Sequence, residues 1–183
     1  METETVTPEI DVLVAVAVWL RHRKVLPYQF SIAHGRDIDV EAAKSQLNTA
    51  LDKEGIPGEL RWFVRDGPDI TAISRSEYWQ IECKGAGTGK RGTQRNNFDR
   101  ALASAVSYYT ESPPDFAKEG LAAFAVFNSA RPVLGLALPG SHDYMSELKR
   151  RVKKPLRKAL NLWVLLYDQS ERTVRGIVPE DDY

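Results

Sequence analysis

Residues 67–85 read Gly-Pro-Asp-Ile-Thr-Ala-Ile-Ser-Arg-Ser-Glu-Tyr-Trp-Gln-Ile-Glu-Cys-Lys-Gly. Gly67 and Pro68 mark a turn, and Asp69 to Ser74 then forms a short strand candidate. Arg75 to Glu77 make a second turn before another strand candidate, Tyr78 to Lys84. Side chains alternate across a strand, so Trp79, Ile81 and Cys83 share a face that packs. Tyr78, Gln80, Glu82 and Lys84 share the other face. If the two strands pair, Asp69 at the head of the first lies beside Glu82 near the end of the second. Two carboxylates from neighbouring strands make an oxygen-rich site suited to Mg²⁺, a hard ion that keeps several waters. A lysine two residues beyond one ligand is placed to stabilise developing negative charge or to orient water.

Working outward, Glu59 to Val64 reads as a third strand, and the three together suit an antiparallel meander. Upstream, Thr7-Pro8-Glu9 is a helix start, and Ile10, Leu13, Val14, Ala17 and Leu20 recur at helical spacing up to about Arg23. Val25 to Ile32 reads as strand or loop, and Asp39 caps a helix from Val40 to about Lys53. Downstream, a glycine-rich loop leads to a helix from Thr93 to about Tyr109. Leu121 to Phe127 reads as a strand covered on both faces, and Val133 to Leu138 as another. A helix from about Ser141 to Leu160 carries Met145, Leu148, Val152, Leu156 and Leu160 as its apolar stripe, interrupted at Pro155. Leu162 to Tyr167 and Arg172 to Val178 close the order ααβββαββαββ.

The chain has 183 residues, 43% hydrophobic and 27% charged, which suits one packed domain rather than a disordered tract. The longest apolar run, Val12 to Leu20, is less than half of the ~20 residues a membrane helix needs. The acidic start lacks a basic n-region, and the single cysteine, Cys83, leaves no partner for an internal disulfide. A cytoplasmic protein is the expectation. The net charge of zero hides two basic segments. Lys149 to Lys158 reads KRRVKKPLRK, and Lys84 to Arg100 carries Lys84, Lys90, Arg91, Arg95 and Arg100 against Asp99 alone. Local field matters more than the sum for an anionic partner.

At Asp69 and at Glu82-Cys83-Lys84 the sequence resembles the PD-(D/E)XK nuclease superfamily, the restriction-endonuclease-like fold. The resemblance implies an α/β fold with a mixed central sheet flanked by helices and a core order αβββαβ. The core spans about residues 40–127 of a single 1–183 domain, with a C-terminal extension over 128–183. It implies that Asp69 and Glu82, with the backbone carbonyl of Cys83, hold Mg²⁺, for which Mn²⁺ substitutes, and that Lys84 steadies the attacking water or transition-state charge. Gln94, Phe98 and Leu102 look like the QxxxY element of RecB-type members, with Phe in place of Tyr, which gives Gln94 a place at the site. Glu41 is the nearest match to the glutamate that many members carry on the first core helix. The implied activity is metal-dependent hydrolysis of DNA phosphodiester bonds, and a homodimer would let so small a nuclease cut both strands.

Other readings compete. Gly85 to Arg91 hints at a phosphate-binding P-loop, but Lys84 stands where its first glycine belongs and Arg91 where Ser or Thr belongs. Lys90, Arg91 and Arg95 instead suit a phosphodiester backbone, as do Lys149, Arg150, Lys153 and Arg157, against the plain reading of solvated surface. A catalytically inactive module of the same fold, binding nucleic acid or partner proteins, is the alternative to the enzyme.

Overall fold

Val12, Leu13, Val14, Val16, Ala17 and Leu20 are all buried, so the helix expected from their spacing is covered over most of its circumference. In the computed structural model, which describes residues 6–32, 39–59, 61–87 and 91–183, this is α1 (Glu9–His22). There follow β1 (Leu26–Ser31), α2 (Val40–Lys53), β2 (Trp62–Val64), β3 (Ile70–Ile73), β4 (Glu77–Cys83) and α3 (Arg91–Ser107). After a 3-10 helix at Ala122–Phe127 come β5 (Arg131–Pro139), α4 (His142–Arg151), α5 (Lys154–Leu160), β6 (Leu162–Asp168) and β7 (Thr173–Ile177). The fold is α/β, a mixed seven-stranded sheet in the order β2-β1-β3-β4-β5-β6-β7 with helices on both faces. Among the described residues, no helix is long and apolar enough to cross a membrane.

The alternation read for Tyr78 to Lys84 places β4 correctly. Trp79, Ile81 and Cys83 join α1 in one core layer with Val133, Ala137 and Leu165. Leu134, Leu136 and Leu138 of β5 point the other way, onto Phe98, Ala101 and Ala105 of α3 and Tyr144 and Leu148 of α4. β5 is buried on both faces because it lies parallel between β4 and β6, which explains its unbroken apolar sequence.

Two expectations need correction, and the interruption expected at Pro155 is found. The meander does not use Trp62–Val64: β1 takes the place beside β3, and β2 lies outside it, parallel to β1, at the sheet edge. A three-residue strand with Trp62 exposed has too little apolar surface for an interior position, whereas Tyr28 and Phe30 of β1 are fully covered. Leu121 to Phe127 is not a strand. Its alanines favour helix, only Phe124 is buried within the 3-10 helix, and the position parallel to β4 belongs to β5. The basic helix is two, because Pro155 fits the first turn of a new helix and cannot extend the old one.

Candidate active site

The site forms where β3 begins and β4 ends. Ile70 pairs with Ile81 in the antiparallel register, which sets Asp69 level with Glu82. The turn before Asp69 is made by Gly67 at φ 115°, a conformation that a side chain would strain. Asp69 Oδ2 then accepts the Cys83 backbone N–H at 2.7 Å, tying the head of β3 to the tail of β4. Glu82 Oε2 lies 3.0 Å from the Tyr108 hydroxyl, which is also 3.1 Å from the Gly67 carbonyl.

Burial is the main force on both acids. It pushes Asp69 up to about 8, with the charges of Glu82 and Glu9 adding and the Cys83 N–H opposing. Burial likewise raises Glu82, against the Tyr108 hydrogen bond and the charges of Lys84 and Arg100. For Lys84, burial disfavours the charged form. The hydrogen bond and charge of Glu9, with Asp69 and Glu82 behind them, outweigh it and raise its pKa, so Lys84 stays protonated. Burial and the Glu82 charge also raise Tyr108, which keeps its phenol a donor.

Glu9, which sequence reasoning missed, completes the cluster, with Lys84 Nζ 2.6 Å from its Oε2. Its delivery is a backbone device. Thr7 and Ala86 exchange both backbone hydrogen bonds, at 2.8 and 2.9 Å, pinning the start of α1 to the segment after β4. Only glycine fits at position 85: a Cβ there would lie 2.4 Å from the Thr7 carbonyl and 2.7 Å from the Glu9 nitrogen. The Thr7 hydroxyl bonds Gln169 at 2.9 Å, and the Tyr144 hydroxyl donates to the Gly85 carbonyl at the same length. The signal was present in the sequence as an acid at the first position of a helix start and a glycine directly after the lysine.

The other expected residues are spread unevenly. Gln94, on the first turn of α3, has a buried Oε1 without a partner among the described residues and lines a groove of about 1150 Å³ with Thr7, Gly87, Gly140 and His142. Phe98 is wholly buried beneath the Arg151 guanidinium. Cys83 is buried too, its thiol pushed up by burial and by the surrounding carboxylates. Glu41 is exposed on the first turn of α2, while the charges acting on Asp69 come from Glu82, Glu9 and Lys84. Lys90 and the side chain of Arg91 lie outside the described residues. Arg95, Lys149, Arg150 and Lys153 are exposed. Arg150 pairs with Glu147, and Lys153 Nζ donates to the Lys149 carbonyl at 2.6 Å.

Arg157 is a correction. It is only 1% exposed, its guanidinium donates to the carbonyls of Val178 and Asp181, and it stacks 4.5 Å from the Tyr183 ring centre. It braces the C-terminal segment and has no surface to offer a nucleic acid.

The chain matches no protein-family model, no curated protein and no solved structure. Its functional reading therefore rests on the chemistry of this cluster: two half-buried acids that resist ionisation, a protonated lysine beside them, and a third acid holding that lysine. Among the described residues, no group of three or more His, Cys, Asp and Glu side chains is arranged to enclose a metal ion by itself.

Proposed function

We propose that this chain is a divalent-cation-dependent nuclease of the PD-(D/E)XK type that hydrolyses DNA phosphodiester bonds. The observation that carries the reading is the pair Asp69 and Glu82, level on antiparallel neighbours and both pushed toward the protonated form by burial. A buried acid of this kind ionises when a positive charge joins it, so the donor set fits a hard cation that takes two carboxylates, with the Cys83 carbonyl as a third oxygen, and fills its remaining positions with water. When bound, Mg²⁺ or Mn²⁺ supplies Lewis acidity toward the phosphoryl oxygens and a lower pKa for water.

The protein's own groups do the rest. Asp69 and Glu82 hold the cation's place. Lys84 stays protonated and offers positive charge to the phosphoryl oxygens as charge builds in the transition state. Glu9 restrains Lys84 through their ion pair. Gln94, whose buried amide oxygen has no partner among the described residues, lines the groove beside Thr7 and Gly87.

This reading also assigns the core. α1, β1, β3, β4, α3 and β5 supply the order αβββαβ, with α2 and β2 as an insertion, and Glu9 takes the first-helix acid role expected of Glu41. DNA as substrate, and a pair of chains acting on duplex, follow from the resemblance and stand as proposals with it. Of the cations expected to meet phosphates, Arg95, Lys149, Arg150 and Lys153 are exposed. The test is incubation of the purified protein with plasmid, linear duplex and single-stranded DNA, with Mg²⁺, with Mn²⁺ and with EDTA. Cleavage that needs the ion is the expected result. Intact DNA in every arm overturns the enzyme reading and favours the inactive binding module.

A further inference from the structure

Beyond the residues of the motif, a single phenol ties the cluster together. Tyr108 follows the last residue of α3, whose Phe98, Ala101 and Ala105 are fixed in the core, so the tyrosine is held from a rigid support. Its hydroxyl sits almost equally far from Glu82 Oε2 and from the Gly67 carbonyl, at 3.0 and 3.1 Å. Gly67 lies two residues before Asp69, in the turn that aims that carboxylate, and Glu82 is the other acid. Tyr108 occupies a different position from Phe98, the residue aligned with the tyrosine of the QxxxY pattern, so the motif does not account for it.

We propose that Tyr108 is the positioning residue of the metal site, its one hydroxyl fixing the Glu82 carboxylate and the Asp69 turn in a common frame. The inference rests on the nuclease reading above. Glu82 needs such a restraint because the carboxylates of Asp69 and Glu9 push against it. A carboxylate on a flexible side chain rotates away from like charges unless a donor holds it. A hydrogen bond from outside the ligand set supplies that hold, and removing such a bond typically costs about 10- to 100-fold in metal affinity. The hydroxyl's one proton is shared with the Gly67 carbonyl, so a single group spans the turn before Asp69 and the end of β4 and adds to the Asp69–Cys83 tie between them.

Calorimetric titration of the full chain with Mn²⁺ in the absence of DNA tests this without reference to catalysis. Tyr108→Phe keeps the ring and removes the hydroxyl. It should weaken Mn²⁺ binding by about 10- to 100-fold while the melting temperature of the metal-free protein stays near that of the unsubstituted chain. Tyr108→His, which restores a ring N–H donor, should recover part of the affinity. Equal Mn²⁺ affinity in the unsubstituted and Tyr108→Phe proteins overturns the inference and leaves the nuclease reading standing. Equal losses in the Phe and His variants, with melting lowered in both, mean that the ring only packs, and they also overturn it. An unsubstituted protein that takes up no Mn²⁺ overturns the metal-site reading and the inference together.

Discussion

Arg157 and Asp69 are both ionisable side chains drawn away from water, Arg157 wholly buried beside the C-terminal segment and Asp69 half-buried where β4 ends, and their surroundings are opposite in kind. Arg157 meets two backbone carbonyls and an aromatic face, all of which favour its charge, with only its Nε lacking a partner among the described residues. Asp69 meets one N–H and, across the strand, another acid, so its charge is disfavoured. A buried charge that is satisfied by fixed partners holds the architecture, and removing it damages the fold. A buried charge set against its like is a standing cost that the fold would shed unless a cation or substrate relieved it, so strongly perturbed groups gather at functional sites. The difference makes opposite predictions at the two places.

Asp69→Ala and Glu82→Ala should show the largest effect, complete loss of cation-dependent DNA cleavage, with the fold intact. Each change removes an anionic ligand and opens no core cavity, and each relieves repulsion in the metal-free protein. Cleavage and thermal melting are measured together. A folded variant with full cleavage breaks the contrast, because Asp69 would then be as structural as Arg157.

Arg157→Leu should divide the other way. Losing hydrogen bonds from a buried charged donor costs roughly 2–3 kcal/mol; the Asp181 carbonyl loses its guanidinium donor, while the Val178 carbonyl keeps only the Asp181 N–H. For a chain of this size that lowers the melting temperature by roughly 5–10 °C. Cleavage per folded molecule should be unchanged, as should the salt dependence of DNA binding. A loss of DNA affinity without a loss of stability would return Arg157 to the nucleic-acid surface.

These two residues also show what the sequence disclosed and what it hid. Asp69, Glu82 and Lys84 were legible because they lie on consecutive strands joined by a short turn, where alternation and register bring them together locally. Glu9 was hidden because it reaches the cluster by packing between distant segments, through the Thr7–Ala86 pairing that Gly85 permits. Tyr108 joins in the same way, from the far end of a helix. Arg157 was misread through phase. An apolar stripe counted continuously from Met145 to Leu160 puts Leu156 inward and Arg157 outward. Pro155 restarts the helix, so the stripe loses its register: Leu156 is 38% exposed and Arg157 is buried. Similarly, Trp62–Val64 looked like a meander strand because neighbours in sequence usually pair, but the longer and more deeply buried β1 took that place.

A third prediction uses pH. Asp69 has a pKa near ~4 in an unfolded chain and about 8 in the fold. Between these values the unfolded chain has released a proton that the folded one retains. The stability of the metal-free protein should therefore fall as pH rises from about 4 to about 8 and level off above that. Asp69→Asn should flatten this part of the profile, and saturating Mn²⁺ should oppose the fall by favouring the ionised form. Melting curves in EDTA from pH 5 to 9 check it. The Arg157→Leu protein should retain the slope of the unsubstituted chain, because its lesion involves no proton. An equal slope in the Asp69→Asn protein would place that group's titration elsewhere.

The smallest effect is expected at the surface, where charge is neither satisfied inside nor opposed. Lys149, Arg150 and Lys153 are exposed around the junction of α4 and α5. Neutralising all three in a Glu82→Ala background, which removes cleavage, should lower the slope of log affinity against log salt by about 0.9 for each duplex phosphate that the protein no longer neutralises. The shift should be nearly independent of DNA sequence, since ion pairs with phosphates position a protein without reading bases. The three are not equivalent. Arg150 already pairs with Glu147, and Lys153 donates to a carbonyl of its own segment, so each would exchange one partner for another. Exposed pairs of this sort are worth little, about 0–1 kcal/mol, and a phosphate competes with them easily. Lys149, for which no exchange of that kind is needed at its ammonium, should carry the largest single share. An unchanged slope on neutralising all three takes the α4–α5 junction off the DNA path and leaves Arg95, which lines a smaller pocket between the starts of α3 and α4, as the cation to test next.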